Sequence, residues 1–365
     1  MVDGKAQKTN ENSGRRSTLL PMKQAYAQLL PKAFKRFSMK SAVRTGLPTL
    51  GYYLHKKPLP ASERPALFTM NILPPMMTVW YHIVRKHLGD EVDITIFDCS
   101  GRLNAKEFPK ARVQKFLNLY AATKSDIFLR DIAKNRKIGW ICDDDMFPIS
   151  SKMVDVLKEE FADENTAAVS FRPRDWWHLE IEGKSYEPMS SYCTAFNREI
   201  LVEKEHLSLG PANGNTHPSH IGKSPGRYDT CDKANEILLQ KGYRCAIVPK
   251  EERSEYLTGF SGVSGAVMML YHFKNPEQIL QYYEDPPKNQ WGGNMLFGTL
   301  AAMLAISVVQ ELFTELKGAP YPLRALPKRE ELENLLDNHR QYLRPDQHEH
   351  EAMLRASEVR LKAAL

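Results

Sequence analysis

Cysteine is scarce in this 365-residue chain: Cys99, Cys142, Cys193, Cys231 and Cys245 are scattered, odd in number, and form no C-x-x-C pair. This argues for reduced, structural thiols in a cytosol-like compartment. Long apolar runs are also lacking. The longest, Met295–Val309, has fifteen residues interrupted by Gly298, Thr299 and Ser307. It falls short of the roughly 18–20 residues of a spanning helix and predicts a buried or interfacial one. Residues 1–16 are polar and show no apolar core of a secretory signal. There is no G-x-x-x-x-G-K-[ST] phosphate loop, no internal repeat and no nucleic-acid-binding module. Gly259, Gly262 and Gly265 recur every third residue, match no phosphate fingerprint, and predict either a flexible loop near the site or an ordinary surface loop.

What is present is an ordinary globular composition, 42% hydrophobic and 26% charged. The net charge of +6 is uneven. Residues 1–65 carry thirteen Lys and Arg against Asp3, Glu11 and Glu63, about +10, which leaves the remainder about −4. A basic arm of this kind can favour an anionic membrane surface or nucleic acid; the arm has no recognisable nucleic-acid motif and the body is acidic, so no nucleic-acid partner is expected.

Three segments are expected: a basic arm over residues 1–60, partly disordered and partly helical; an α/β body over 61–275; and a helical extension over 276–365. Within the arm, residues 18–45 predict one or two short amphipathic helices. In the body, strands are predicted at Ala66–Ile72, Val92–Phe97, Ile138–Cys142, Thr166–Phe171 and Arg244–Val248. Helices are predicted at Met77–Leu88, Pro109–Thr123, Ile127–Ala133, Ser151–Phe161 and Asp229–Gln240, with hairpin-like pieces in 176–192 and a polar loop in 210–227. This alternation implies a mostly parallel, doubly wound sheet covered by helices.

The chemistry concentrates at Gly139-Trp140-Ile141-Cys142-Asp143-Asp144-Asp145-Met146-Phe147-Pro148. An apolar strand ends abruptly in three carboxylates, at the sheet edge where ligands of α/β folds gather. Adjacent carboxylates repel unless a cation or hydrogen bonds neutralise them. Mg²⁺ or Mn²⁺, which bridge carboxylates to substrate phosphates, suit such a cluster. Asp229 and Asp232 open a predicted helix, where each is either a cap or a general base. Arg174 stands beside Trp176 and Trp177, a grouping that can clamp phosphate and stack on sugar rings. His217 and His220 lie in the polar loop, where they could touch acceptor or phosphate.

Taken in order, these segments resemble the GT-A glycosyltransferases, in particular their large family of inverting, nucleotide-sugar-dependent enzymes (family 2-like). The resemblance covers about residues 66–250. It rests on Asn71 in FTMNILP, on Phe97-Asp98-Cys99-Ser100-Gly101, and on the D-x-D motif Asp143-Asp144-Asp145. It continues through Tyr192–Ile200 and through Tyr228-Asp229-Thr230-Cys231-Asp232, followed by Gly242-Tyr243-Arg244. The Glu-Asp dipeptide usual before the base is absent; Tyr228 precedes Asp229.

The resemblance implies a GT-A (Rossmann-like) sheet sandwiched by helices and a hexosyltransferase-type enzyme. It would move a sugar from a nucleotide-diphosphate-sugar, UDP-sugar favoured, to a hydroxyl of a glycan or lipid-linked acceptor, with inversion. Asp143 and Asp145 would hold Mn²⁺ or Mg²⁺, with His272 as a third ligand. Asn71, Asp98, Ser100 and Asp144 would contact the donor, and Asp229, ahead of Asp232, would be the base. Such an enzyme would be cytoplasmic, or peripheral on the cytoplasmic face of a membrane in polysaccharide or glycolipid assembly.

Two other classes compete. A haloacid-dehalogenase-type phosphotransferase would use Asp143 and Asp145, but Phe147 stands where Thr or Val is expected. A membrane-surface scaffold, or an inactive transferase-like binding protein, would need only the basic arm and the helices.

Overall fold

The computed structural model describes residues 20–174, 178–210 and 229–365. The strands are β1 (Ala66–Asn71), β2 (Asp93–Asp98), β3 (Ala111–Lys115), β4 (Ile138–Cys142), β5 (Met146–Pro148) and β6 (Thr166–Ser170). They continue with β7 (Leu179–Ile181), β8 (Lys184–Tyr186), β9 (Cys193–Asn197), β10 (Arg244–Ile247) and β11 (Leu257–Gly259). The helices are α1 (Leu20–Leu54), α2 (Pro74–Leu88), α3 (Ala121–Ile127), α4 (Lys152–Glu160), α5 (Asp232–Gln240) and α6 (Arg253–Tyr256). After these come α7 (Val263–His272), α8 (Pro276–Glu284), α9 (Asn294–Lys317), α10 (Arg329–His339) and α11 (Pro345–Ala364).

Seven strands form one sheet in the order β10-β6-β9-β4-β1-β2-β3. All neighbours are parallel except β9, which runs antiparallel between β4 and β6. The expected mostly parallel, Rossmann-like sheet covered by helices is therefore present. Its inner strands are apolar because both faces are covered. Leu67, Ile94, Ile96 and Trp140 join one core, with α2, α7 and α9. Phe68, Phe97 and Ile141 join the other, with Phe128 and the α5 residues Ala234 and Leu238. From β1 the chain moves outward to β2 and β3, then returns to place β4 on the other side of β1. A crevice opens where strand order reverses, at the carboxyl ends of β1 and β4.

Three expectations on local structure are corrected. The helix predicted over Pro109–Thr123 is instead β3, an extended connection and the start of α3. Ala111–Lys115 completes a five-residue parallel ladder on the open edge of β2, and that pairing outweighs helical spacing. The arm forms one continuous helix over Leu20–Leu54, not short pieces, because its inner seam, including Ala33, Phe37 and Tyr52, packs along the body. The glycine-spaced segment is ordered: Gly259 ends β11, which pairs with β5, and Gly262 (φ +74°) begins α7. Helix α9 is long and apolar enough to cross a membrane, yet 78% of its most apolar window is buried within the fold. It packs against α2, α7, α10 and α11, as a core helix does.

Candidate active site at the end of β4

The strand β4 delivers Asp143, Asp144 and Asp145 to the crevice, and a short ribbon holds them there. Asp143 N donates to Tyr192 O (2.9 Å), Met146 N to Asp143 O (3.1 Å), and Phe260 N to Asp145 O (2.9 Å). The ribbon pairs Gly259 with Met146. A Cβ on Gly259 would lie 2.5 Å from Asp145 O, so only glycine lets β11 approach this closely.

The three carboxyls line a cleft of about 270 Å³ with Met70, Ile72, Tyr120, Lys124, Ser264, Met268 and Phe34 of α1. Each is half-buried. Burial first, then the neighbouring carboxylates, hold Asp143 and Asp144 well above the usual carboxylate range, with Lys124 opposing. Burial pushes Asp145 up to about 7, against the pull of Arg172. Asp144 Oδ2 is buried with no hydrogen-bond partner. Concentrated carboxylate oxygens, one orphaned, are the donor set a hard divalent cation takes. Among the described residues, no three His, Cys, Asp or Glu side chains surround one point. The chain would thus supply one or two carboxylates, leaving positions for phosphate oxygens and water, as Mg²⁺ sites commonly do.

His272 does not join the triplet. It ends α7 and lines a separate cavity with Arg36 and Lys274. Burial, then the charges of Arg36 and Lys32, lower its pKa. Those cations make a poor setting for a metal ion.

Asp98 and Asn71 also depart from the expected donor-binding role. Asp98 is fully buried, and its Oδ1 accepts from Asn71 Nδ2 (3.1 Å), Ser100 N (3.1 Å), Ser100 Oγ (2.6 Å) and Gly101 N (2.9 Å). Its Oδ2 accepts from Leu103 N (2.9 Å). The carboxylate is thereby consumed in closing the loop after β2, with Asn71 and Ser100 as its partners; none of the three lines the cleft.

The second acidic pair is organised around Arg174, which is 3% exposed. Arg174 Nε donates to Asp232 Oδ1 (2.9 Å), Nη2 donates to Thr230 O (3.0 Å), and Nη2 lies 3.6 Å from Asp229 Oδ2. Asp232 is fully buried, and its Oδ2 accepts from Asp229 N (2.7 Å), tying the first turn of α5. Burial raises its pKa to about 6, against Arg174 and that backbone donor. Asp229 has a half-exposed side chain (52%), and its Oδ1 accepts from Tyr120 OH (3.0 Å). Tyr120, a cleft residue, therefore links Asp229 to the triplet's cavity. Arg174, expected to meet an acceptor, instead positions this pair. Trp176, Trp177, His217 and His220 lie outside the described residues.

Sequence reasoning missed Tyr120 and Lys124. Both follow an irregular stretch, and no motif marks them. Lys124 is 4% exposed, with Nζ 3.2 Å from Asn118 Oδ1 and 3.5 Å from Cys99 Sγ. A lysine so buried inside a helical turn is the signal, legible only after folding.

No family model matches the chain, and no curated protein matches it. Among solved structures it is similar to the mannosyltransferase PcManGT from Pyrobaculum calidifontis, in complex with GDP-Man and Mn²⁺. That likeness has 15% identity, covers 92% of this chain and 98% of that one, and has a TM-score of 0.37. It is also similar to 4-diphosphocytidyl-2C-methyl-D-erythritol synthase from Anaerococcus prevotii (10% identity, 53% and 96% covered, TM-score 0.33). A third is the glycosyltransferase GlyE of Streptococcus pneumoniae (8% identity, 52% and 46% covered, TM-score 0.29).

Proposed function

We propose that the protein is a cation-dependent glycosyltransferase acting on a nucleoside-diphosphate-sugar. The observation that carries the reading is the triplet itself: three half-buried carboxylates at the strand-order switch, pushed up in pKa, with one oxygen unpartnered. A fold that keeps such a cluster bears an electrostatic cost that a bound cation and diphosphate would offset. Asp143 and Asp145 would hold Mn²⁺ or Mg²⁺, which would neutralise charge developing on the leaving diphosphate. Lys124 adds a fixed positive charge to the same wall of the cleft.

Asp229 is the preferred base. It is the accessible member of its pair, while Asp232 is locked under Arg174. Tyr120 orients the Asp229 carboxylate through Oδ1, and Oδ2 is the atom to take a proton from an acceptor hydroxyl. Direct displacement with inversion follows from the family resemblance, as does the preference for a UDP-sugar. The apolar lining of Phe34, Met70, Ile72, Leu119 and Met268 suits an acceptor carried on a lipid. The phosphotransferase reading is weaker: Phe147, at the position where a Thr or Val belongs, is fully buried in β5.

The test is donor hydrolysis across UDP-, GDP-, CDP- and dTDP-sugars, with and without Mn²⁺. Metal-dependent release of one nucleotide, lost in Asp145→Ala, is expected. Silence on every donor, with no nucleotide binding, would favour a binding protein built on a transferase-like fold.

A further inference from the structure

Helix α1 departs from an ordinary surface helix on both faces. Its buried seam mixes apolar residues (Ala33, Phe37, Tyr52) with hydroxyls: Ser41, Thr45 and Thr49 are at most 3% exposed. They are satisfied locally, Thr45 Oγ1 donating to Ser41 O (2.9 Å) and Thr49 Oγ1 to Thr45 O (2.7 Å). Thr49 Oγ1 also accepts from Leu117 N (2.9 Å), which stitches the helix to the body. The outer face carries aliphatic side chains as well. Met39 (64% exposed), Val43 (85%), Leu47 (81%), Leu50 (56%) and Leu54 (68%) all point away from the protein. At about 100° per residue, these five positions share an arc of about 80°. A helix that hides hydroxyls and shows a straight aliphatic stripe has a second apolar environment to enter.

Charge identifies that environment. The segment Leu20–Leu54 contains no Asp or Glu. Lys32, Lys35, Arg36, Lys40 and Arg44 are exposed, and among the described residues none pairs with a carboxylate. By the same helical geometry Lys35 lies on one side of the stripe and Lys40 and Arg44 on the other, while Lys32 and Arg36 continue its arc toward the N-terminal end. An aliphatic stripe flanked by cations is complementary to a bilayer with anionic headgroups: the stripe enters the acyl boundary and the cations stay at headgroup level. A second copy of the same face would bring two sets of cations together and fits less well.

The geometry points to α1 as an in-plane docking face for an anionic lipid bilayer. The inference is independent of the transfer chemistry.

The experiment is co-sedimentation of the full chain with vesicles of phosphatidylcholine alone and of phosphatidylcholine mixed with phosphatidylglycerol. Binding is expected on the mixed vesicles and is weakened by added salt. The double variant Val43→Glu/Leu47→Glu should bind them at least about tenfold more weakly, with an unchanged thermal midpoint because both residues are exposed. The charge variant Lys35→Glu/Lys40→Glu should lose the preference for phosphatidylglycerol. Wild-type protein left in the supernatant with both vesicle types would overturn the inference, as would equal sedimentation of the Val43→Glu/Leu47→Glu variant. So would a concentration-dependent dimer, seen by light scattering, that this variant abolishes without any change in vesicle binding.

Discussion

Two strands of the same sheet end in aspartate, and the two ends do opposite work. At the end of β2, Asp98 receives five hydrogen bonds and sees no solvent. At the end of β4, Asp143, Asp144 and Asp145 line one cleft, with Asp144 Oδ2 unpartnered. Both are Asp after an apolar strand, and both fit the D-rich pattern of a nucleotide-sugar enzyme. The difference is supply of donors. The loop after β2 folds back so that Ser100, Gly101 and Leu103 turn their N–H groups onto the carboxylate. Beyond β4 the chain departs at once into the β5–β11 ribbon, and Asp144 Oδ2 is left without a hydrogen-bond partner. A carboxylate saturated with donors builds the fold, whereas an unsaturated one is available to a ligand.

Substitution at the two ends should therefore split stability from turnover. Asp145→Ala is expected to lower turnover by roughly a hundredfold to a thousandfold, the scale of losing a key electrostatic stabiliser. The metal-free variant should unfold no earlier than the parent in urea, because a source of repulsion is gone. Asp98→Ala should do the reverse. Leaving several buried donors unpaired is expected to cost roughly 3 kcal/mol or more in urea unfolding, while the folded fraction keeps its donor affinity. Equal stability losses for both variants would erase the distinction between the two ends.

The same comparison predicts a pH signature. Asp145 has a folded-state pKa of about 7 against an ordinary 3.8. In the metal-free protein its stabilising contribution is complete below the ordinary value and is lost as pH rises through about 7. A cation needs the ionised form, so its affinity should climb over the same interval, by roughly tenfold between about pH 6 and pH 8. Thermal unfolding with and without Mn²⁺ at both pH values reads this directly; a shift independent of pH would contradict it.

Smaller effects are expected around Asp229. Arg174→Lys removes the planar fork to Asp232 and Thr230 and should cost about 1–3 kcal/mol of stability, with a moderate fall in turnover. Tyr120→Phe deletes one hydrogen bond to Asp229 and should cost about 0.5–1.5 kcal/mol. Its kinetic mark, a modest drop in turnover with unchanged donor affinity, would place Tyr120 on the base and not on the donor.

Much of the fold was legible because inner strands are uniformly apolar and the helices between them are periodic; β1, β4, β6 and the core helix α9 follow from that alone. The edge strand β3 was not, since its ARVQK pattern gains meaning only when β2 offers an open edge. At the site, the triplet was legible from three adjacent carboxylates at a strand end. The separation of Asp98 from the ligand cleft was not, because it depends on where three backbone N–H groups turn. His272 looked close in sequence order, but α7 carries it toward Arg36 and Lys274 instead. The exposed aliphatic stripe of α1 also escaped, because mixed Leu, Lys and Ser positions do not reveal which side of a helix the body covers.

The most direct test is a calorimetric titration of Mn²⁺ into the full chain in the presence of a nucleoside diphosphate, repeated with Asp145→Ala and Asp98→Asn. The account predicts one cation site, lost in the Asp145 variant and kept in the folded Asp98 variant. Binding that survives Asp145→Ala unchanged would contradict the assignment of the triplet as the cation site.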